Sequence, residues 1–146
     1  MSDTKQTNPK DAIGIKKVPI STVSMPFILS VGLAMLEGAL KYGRHNYRKS
    51  GVRLSVYIDA IFRHLAALYE GEWDDPDTKG AKIPHIIKIA ACCAVVFDAY
   101  LFGKLVDDRP PSHKPGWIQE FNQKAADMID QYPNPKDAFI KEDGLD

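Results

Sequence analysis

Residues 84–105 decide the fold, and they read PHIIKIAACCAVVFDAYLFGKL. Pro84 suits the first turn of a helix, and the run that follows it is apolar on nearly every side. Its Val-Val-Phe triplet is typical of strands, but the length of the run and the small residues before the triplet favour a buried helix. This segment therefore predicts the central helix of a helical core.

Three further segments predict helices of similar length. They are residues 26–42, 54–70 and 117–131. Pro26 suits a helix start, and Gly43 and Gly71 suit helix ends. No segment of useful length alternates apolar and polar residues as a half-buried strand does. The sequence therefore predicts an all-α fold, with a bundle of four main helices near 26–42, 54–70, 84–105 and 117–131.

The length of 146 residues predicts a single domain over 1–146. Residues 1–22 are polar, basic and proline-containing, which favours an extended arm. Residues 132–146 are acidic and favour a turn-like tail. Three helices that are apolar nearly all round need more cover than one short chain offers, so we expect a homodimer or homotetramer to complete the bundle.

Composition excludes several classes of protein. The chain has 19 basic and 19 acidic residues, no apolar run of membrane-spanning length and no apolar segment near its start. Cys92 and Cys93 are adjacent, so they form neither a disulfide framework nor a CxxC metal site. No helix concentrates Lys and Arg as a DNA-reading helix does. We therefore expect a cytoplasmic protein that binds neither membrane nor nucleic acid.

Charge is distributed unevenly along this neutral chain. Residues 1–53 hold nine basic and three acidic residues, a net charge of +6, and residues 54–146 hold ten basic and sixteen acidic residues, a net charge of −6. A basic segment laid against an acidic one offers both an anion site and a cation site. Salt bridges between the two segments are the simpler interpretation, and the sequence leaves both open.

Charged residues within the apolar helices are informative because a buried charge needs a partner. Glu37 and Lys41 share a stripe on the first helix and form either an exposed pair or part of a site. Arg63 on the second helix pairs with Asp59 or binds substrate, and His64 is either a core histidine or a substrate-binding residue. In the third helix, Asp98 requires a partner, which is either an Arg or Lys from a neighbouring helix or the cation of a site. The remaining candidates there are His85 and Lys88.

An acidic loop follows the second helix, with the sequence EGEWDDPD over residues 70–77. Carboxylates this close repel one another unless a cation lies among them, and oxygen ligands are what Mg²⁺ and Mn²⁺ prefer. A solvated acidic turn is the alternative. The chain has no phosphate-binding glycine loop, no dinucleotide fingerprint and none of the common hydrolase or metalloprotease motifs.

Two motifs together resemble a known family. They are KYG-x-x-N at residues 41–46 and RHL-x-x-x-x-x-GE-x-x-D-P at residues 63–76. Over residues 8–102 the chain resembles the phage dATP/dGTP diphosphohydrolases of the MazZ type, which are all-α nucleoside triphosphate pyrophosphatases related to MazG. The resemblance implies hydrolysis of dGTP or dATP between the α and β phosphates, with release of pyrophosphate. In some phages such enzymes supply dGMP for the synthesis of 2-aminoadenine nucleotides.

The resemblance also implies Mg²⁺ or Mn²⁺ held by two acidic pairs on neighbouring helices. Glu72 and Asp75 match the second pair, E-x-x-D. Glu37 alone represents the first pair, because Ala34 and Leu40 occupy the positions three residues away. We therefore expect Glu37, Glu72 and Asp75 to bind the metal, with Glu70, Asp59 or Asp98 as the alternatives that complete the site.

Further roles follow from the chemistry of such a reaction. Glu70 or Glu72 is the candidate catalytic base. Candidate phosphate ligands are Lys10, Lys16, Lys41, Arg63 and Lys88. Candidates for contact with the base or another part of the substrate are Tyr42, Asn46, Trp73 and His64. The alternative function is a non-catalytic oligomeric scaffold or nucleotide sensor, which would release no pyrophosphate from any nucleotide.

Overall fold

The structure, a computed structural model, describes residues 8–143 of the chain. Its α-helices are α1 (Pro9–Gly14), α2 (Met25–Tyr42), α3 (Asn46–Lys49), α4 (Leu54–Tyr69), α5 (His85–Leu101) and α6 (Trp117–Asp130). Two strands of two residues each, β1 (Val52–Arg53) and β2 (Leu105–Val106), complete the regular structure together with two short 3-10 turns. The all-α prediction is confirmed, and α2, α4, α5 and α6 are the four predicted main helices.

The helix α5 is the centre of the fold, because it packs against both α2 and α4. The buried apolar cluster consists of Ala34 from α2 together with Ile83, Ile87 and Ala91 at the start of α5 and just before it. Alanines occupy two of these four positions, one on α2 and one on α5, and leave room between the two helices. The core is therefore narrow, and it fixes the position of the first half of α5.

The helix α5 ends at Leu101, whereas the sequence predicts an end near residue 105. The chain turns at Gly103, and Leu105 and Val106 then pair in parallel with Val52 and Arg53. Gly51 precedes this pair with a φ of +75°, and a Cβ atom there would lie 2.6 Å from the carbonyl oxygen of Lys104. Only glycine fits this position without a shift of the backbone.

Two compact units divide the chain, and the boundary lies between Arg109 and Pro110. This boundary falls in the polar, proline-rich segment after β2, and the single domain over 1–146 stays a prediction. The second unit contains α6, whose apolar residues Trp117, Phe121 and Met128 are exposed.

The N-terminal arm also differs from the prediction of extended chain. Its described part contains α1 and a 3-10 turn over Ile20–Thr22. The side chain of Asn8 caps α1 by accepting a hydrogen bond of 3.0 Å from the amide of Lys10. Pro9 begins the helix, so the Asn-Pro sequence acts here as a helix start.

Large apolar side chains remain exposed on all the long helices. On α2, Leu29 and Leu40 are 72% and 79% exposed, and on α4 Phe62 is 63% exposed. The helix α2 has 18 residues, a mean hydropathy of 1.2 and 6% of its residues buried, so length and composition would allow it to cross a membrane. The same properties belong to helices that are covered by a partner chain.

Candidate active site

The acidic loop between α4 and α5 folds back on itself and positions its carboxylates. The amide of Asp75 donates to the carbonyl of Ile83 at 2.9 Å, and the amide of His85 donates to the carbonyl of Trp73 at 2.9 Å. Within the loop, the hydroxyl of Thr78 donates to the carbonyl of Asp75 at 2.7 Å. These bonds bury Asp75, which is 8% exposed, against the start of α5.

A charged cluster joins α2, this loop and α5. The ammonium of Lys88 contacts one carboxylate oxygen of Glu37, and it lies 3.7 Å from Oδ2 of Asp75. The other oxygen of Glu37 accepts a hydrogen bond of 2.5 Å from Lys41. Burial by itself raises the pKa of Glu37, but the hydrogen bonds from Lys41 and Lys88 outweigh it, so the pKa is lowered. Glu37 is thus held as an anion by two lysines.

A pair of histidines lies beside this cluster. Nδ1 of His64 on α4 lies 2.9 Å from Nδ1 of His85 on α5, and Nε2 of His85 lies 2.7 Å from Oε1 of Glu72. One ligand atom from each of His64, Asp75 and His85 lies within 4.8 Å of the others. Burial lowers the pKa of His64, which favours its neutral form.

A pocket of about 410 Å³ opens beside the histidine pair. It is bounded by α2, the segment before α3, α4 and α5, and its lining includes Met35, Ala39, Tyr42, Arg44, His45, Asn46, Tyr47, Tyr57, His64, Lys88, Ala91, Cys92 and Val95. Burial raises the pKa of Tyr57 and of Cys92, so both stay neutral near pH 7. The pocket is mainly apolar and aromatic, with His64 and Lys88 connecting it to the charged cluster.

The rim of the pocket is anchored to α5. Arg48 on α3 forms two hydrogen bonds of 2.8 Å with the carboxylate of Asp98, and its guanidinium lies 5.4 Å from the ring centre of Phe102. His45 has a φ of +63°, a conformation that few residues other than glycine adopt. Arg48 is therefore the basic partner of Asp98 from a neighbouring helix, which confirms that alternative. The pair holds the segment that lines the pocket against α5.

Comparison with known protein families gives one match for the chain. A family model described as "dATP/dGTP diphosphohydrolase, N-terminal" matches residues 7–109. The chain belongs to this family. Among curated proteins and among solved structures, no significant match is found.

Membership of the dATP/dGTP diphosphohydrolase family confirms the resemblance seen in the sequence and the prediction of an enzyme. The chain is a nucleoside triphosphate pyrophosphohydrolase. The matched region ends at the residue where the first compact unit ends, so the family corresponds to the unit that contains the charged cluster, the histidine pair and the pocket.

Several predicted site residues lie together in this diphosphohydrolase. Glu37, Lys41, Asp75 and Lys88 form the charged cluster. Tyr42, Asn46, His64 and Lys88 line the pocket. The roles assigned to these residues stay predictions, and their proximity is what the structure adds.

Other predicted residues lie elsewhere. Lys10 and Lys16 are exposed in the N-terminal arm and do not line the pocket. Arg63 is exposed on α4, and within residues 8–143 no ion pair joins it to Asp59. Glu70 is exposed at the C-terminal end of α4, and Trp73 is 61% exposed.

His85 is the site residue that the sequence interpretation noticed without giving it a role. It is 4% exposed and contacts both His64 and Glu72. The two histidines are 21 residues apart on different helices, and this spacing matches no ligand motif. The available signal was that His85 begins an otherwise apolar helix, next to an acidic loop.

The donor groups in this region fit a divalent cation in their chemistry, since carboxylates and imidazoles are the usual ligands. The three predicted carboxylate ligands differ in their present partners. Glu37 is held by two lysines, Glu72 contacts His85, and Asp75 lies between Lys88 and the histidine pair. Asp75 is therefore the member of the set that the contacts favour most.

Proposed function

We propose that this diphosphohydrolase hydrolyses dGTP, dATP or both to the monophosphate and pyrophosphate, with Mg²⁺ or Mn²⁺ as cofactor. The observation that supports the proposal is the position of a mainly apolar pocket of about 410 Å³ beside a cluster of carboxylates, lysines and histidines. The purine of a nucleotide needs an apolar, aromatic pocket, and its polyphosphate needs charged groups directly beside that pocket. His64 and Lys88 belong to both.

In this proposal the purine lies in the pocket. Tyr42 and Tyr57 offer aromatic surface, and Asn46 offers an amide donor and acceptor side by side for the edge of the base. Lys88 and Lys41 bind the phosphates, which requires that the triphosphate replaces part of their pairing with Glu37. Arg63, Lys10 and Lys16 remain further phosphate candidates, since flexible basic side chains reach several ångströms.

The reaction forms one bond and breaks one bond at the α-phosphorus. The oxygen of a water molecule bonds to that phosphorus, the bond to the bridging α–β oxygen breaks, and pyrophosphate leaves. Glu72 accepts the proton of the water, with Glu70 as the alternative base at the end of α4. A bound divalent cation supplies neutralisation of the phosphate charge and a lower pKa for the attacking water. Glu37, Glu72 and Asp75 are its predicted ligands.

The product suggests a place in nucleotide metabolism. A purine deoxynucleoside monophosphate is a substrate for enzymes that modify the base or restore the phosphates. Following the family resemblance, we propose that the chain acts in the cytoplasm, that of the host if a phage encodes it, and supplies the synthesis of 2-aminoadenine nucleotides.

The exposed apolar helix faces support a homo-oligomer. Within residues 8–143, Leu29 and Leu40 on α2 and Phe62 on α4 are among the large apolar side chains that stay exposed. Glu37 and Lys41 on α2 pair with each other, and Glu37 pairs with Lys88 on α5, so α2 contains charges that a membrane interior would disfavour. We propose that a second copy of the chain covers α2, in a homodimer or homotetramer, and light scattering at micromolar concentration tests this.

The function is tested with a panel of dNTPs and NTPs and each metal, with separation of the products by chromatography. We expect pyrophosphate and the monophosphate from purine dNTPs, and ¹⁸O from labelled water in the monophosphate, because attack occurs at the α-phosphorus. Glu72→Gln should lower turnover by about 10²–10⁴-fold, and Glu120→Gln on α6 is the matched control. Clean folding with no pyrophosphate from any nucleotide would instead favour the scaffold or sensor.

A further inference from the structure

We propose that His64, Asp75 and His85 form a metal site that takes a first-row transition ion, such as Mn²⁺ or Co²⁺, in preference to Mg²⁺. The inference deepens the proposed function by changing the ligand set of its ion: Asp75 is kept, and the imidazoles of His64 and His85 take the places of Glu37 and Glu72. It rests on that function only for the role of the ion, because binding is measured without substrate.

The convergence of three donors is the first observation. One ligand atom from each residue lies within 4.8 Å of the other two. Asp75 and His85 are 8% and 4% exposed, and His64 is half-buried. Two imidazoles and a carboxylate from α4, the acidic loop and α5 therefore meet at a place that is largely shielded from water.

The hydrogen bonds of His85 give the second observation. A carboxylate only accepts hydrogen bonds, so the contact of 2.7 Å with Glu72 assigns the hydrogen to Nε2 of His85. In the neutral ring Nδ1 of His85 is then an acceptor, and it faces Nδ1 of His64 at 2.9 Å, the spacing of a hydrogen bond whose place an ion would take. A carboxylate that binds the outer nitrogen of an imidazole is the usual support of a metal-ligating histidine. Glu72 is thereby a positioning residue for His85.

The donor atoms select the class of ion. Imidazole nitrogen suits transition ions, whereas Mg²⁺ prefers an all-oxygen octahedron. Glu37 does not belong to this set, because both its oxygens are held by lysines. The ammonium of Lys88 lies 3.7 Å from Asp75 and would repel a cation bound there. Its ion pair with Glu37 neutralises part of this positive charge and reduces the repulsion.

Titration of the purified full-length protein with Co²⁺, without nucleotide, tests the site through visible absorption. We expect saturable binding that is stoichiometric with the chain and resists a tenfold excess of Mg²⁺. His64→Gln should weaken binding more than Glu72→Gln does, and Glu72→Gln should weaken it about 10–100-fold. His113→Gln, in the second unit, is the matched control and should bind Co²⁺ like the unmodified chain.

Zn²⁺ titration followed by ¹⁵N NMR of the histidine rings gives a second readout that needs no substitution. This matters because His85 is buried, and a substitution there would disturb folding as well as binding. The ring nitrogens of His64 and His85 should shift, while those of His45 and His113 should not. Unchanged His64 and His85 signals, equal displacement of Co²⁺ by Mg²⁺, or Co²⁺ binding by His64→Gln at full affinity would each overturn the inference. Pyrophosphate release would still support the proposed function in that case, and binding without hydrolysis would overturn the function alone.

Discussion

The guanidinium of Arg48 binds the carboxylate of Asp98 through two hydrogen bonds of 2.8 Å, which join α3 to α5 across 50 residues of the chain. The bond lowers the pKa of Asp98, mainly through the hydrogen bonds from Arg48, so the pair persists well into the acid range. Because the start of α3 and the segment before it line the pocket, this pair fixes the rim rather than the charged cluster.

Asp98→Asn should therefore weaken substrate binding more than it slows the chemical step. We expect a higher KM for purine dNTPs with a smaller change in kcat, measured by steady-state kinetics. Asp107→Asn is the matched control, since Asp107 forms a similar pair with Arg109 away from the pocket. Equal effects of the two substitutions on KM would contradict the anchoring role.

Glu37→Gln should reduce stability at neutral pH by about 1 kcal/mol, because Lys41 and Lys88 lose their shared anion. Its pKa is lowered in the folded state from an ordinary value of 4.5. The stabilisation is therefore complete above that value and disappears as the pH falls through the folded pKa. Urea unfolding between pH 7 and pH 3 should show the two proteins converging at the acid end. A difference that is independent of pH would refute the ionic pairing, and Glu120→Gln controls for a general effect of charge.

Gly51→Ala should destabilise the first unit, because the residue has a φ of +75° and an added Cβ atom would meet the carbonyl oxygen of Lys104. The left-handed conformation alone costs about 1–2 kcal/mol for alanine. Chemical unfolding measures the loss. Gly14→Ala is the control, since a Cβ atom there meets nothing within 4 Å. Similar stabilities for the two variants would show that β1 and β2 adjust without cost.

Cys92 should react with thiol reagents more slowly than Cys93, because burial raises the pKa of Cys92 while Cys93 is exposed. Cys92 lines the pocket, so a purine dNTP should protect it further and leave Cys93 unaffected. Single-cysteine variants with Cys92→Ser or Cys93→Ser separate the two rates. The absence of protection at saturating nucleotide would place the base outside this pocket.

The main helices were predictable because their apolar runs are long and are interrupted by glycine and proline at the right places. The bounds of α2 and α4 agree with the prediction to within one residue. The pairing of β1 with β2 was not predictable, since two residues per strand carry no periodicity and Gly51 has no signature of its own. The helix α1 was not predicted in the N-terminal arm, because Asn8 and Pro9 suit both a turn and a helix cap.

The candidate site was predictable in part. Glu37, Lys41, Asp75 and Lys88 stood out as charges in or next to apolar helices, and the structure brings them together. The partner of Glu37 on α5 could not be foreseen, because pairing across helices depends on their rotation about their axes. His85 could be given no role for a similar reason, since His64 and Glu72 become its neighbours only in the folded chain.

The helix α5 sets the distance between the two ends of the candidate site. His85 and Lys88 lie in its first turn, Cys92 lines the pocket one turn further on, and Asp98 near its other end holds the rim through Arg48. A helix rises 1.5 Å per residue and resists compression, so the distance from His85 to Asp98 is fixed at about 20 Å. A ligand that contacts both the charged cluster and the rim of the pocket must span this length. Selection for a base joined to a chain of phosphates, over either part alone, is then a matter of span as well as of chemical affinity.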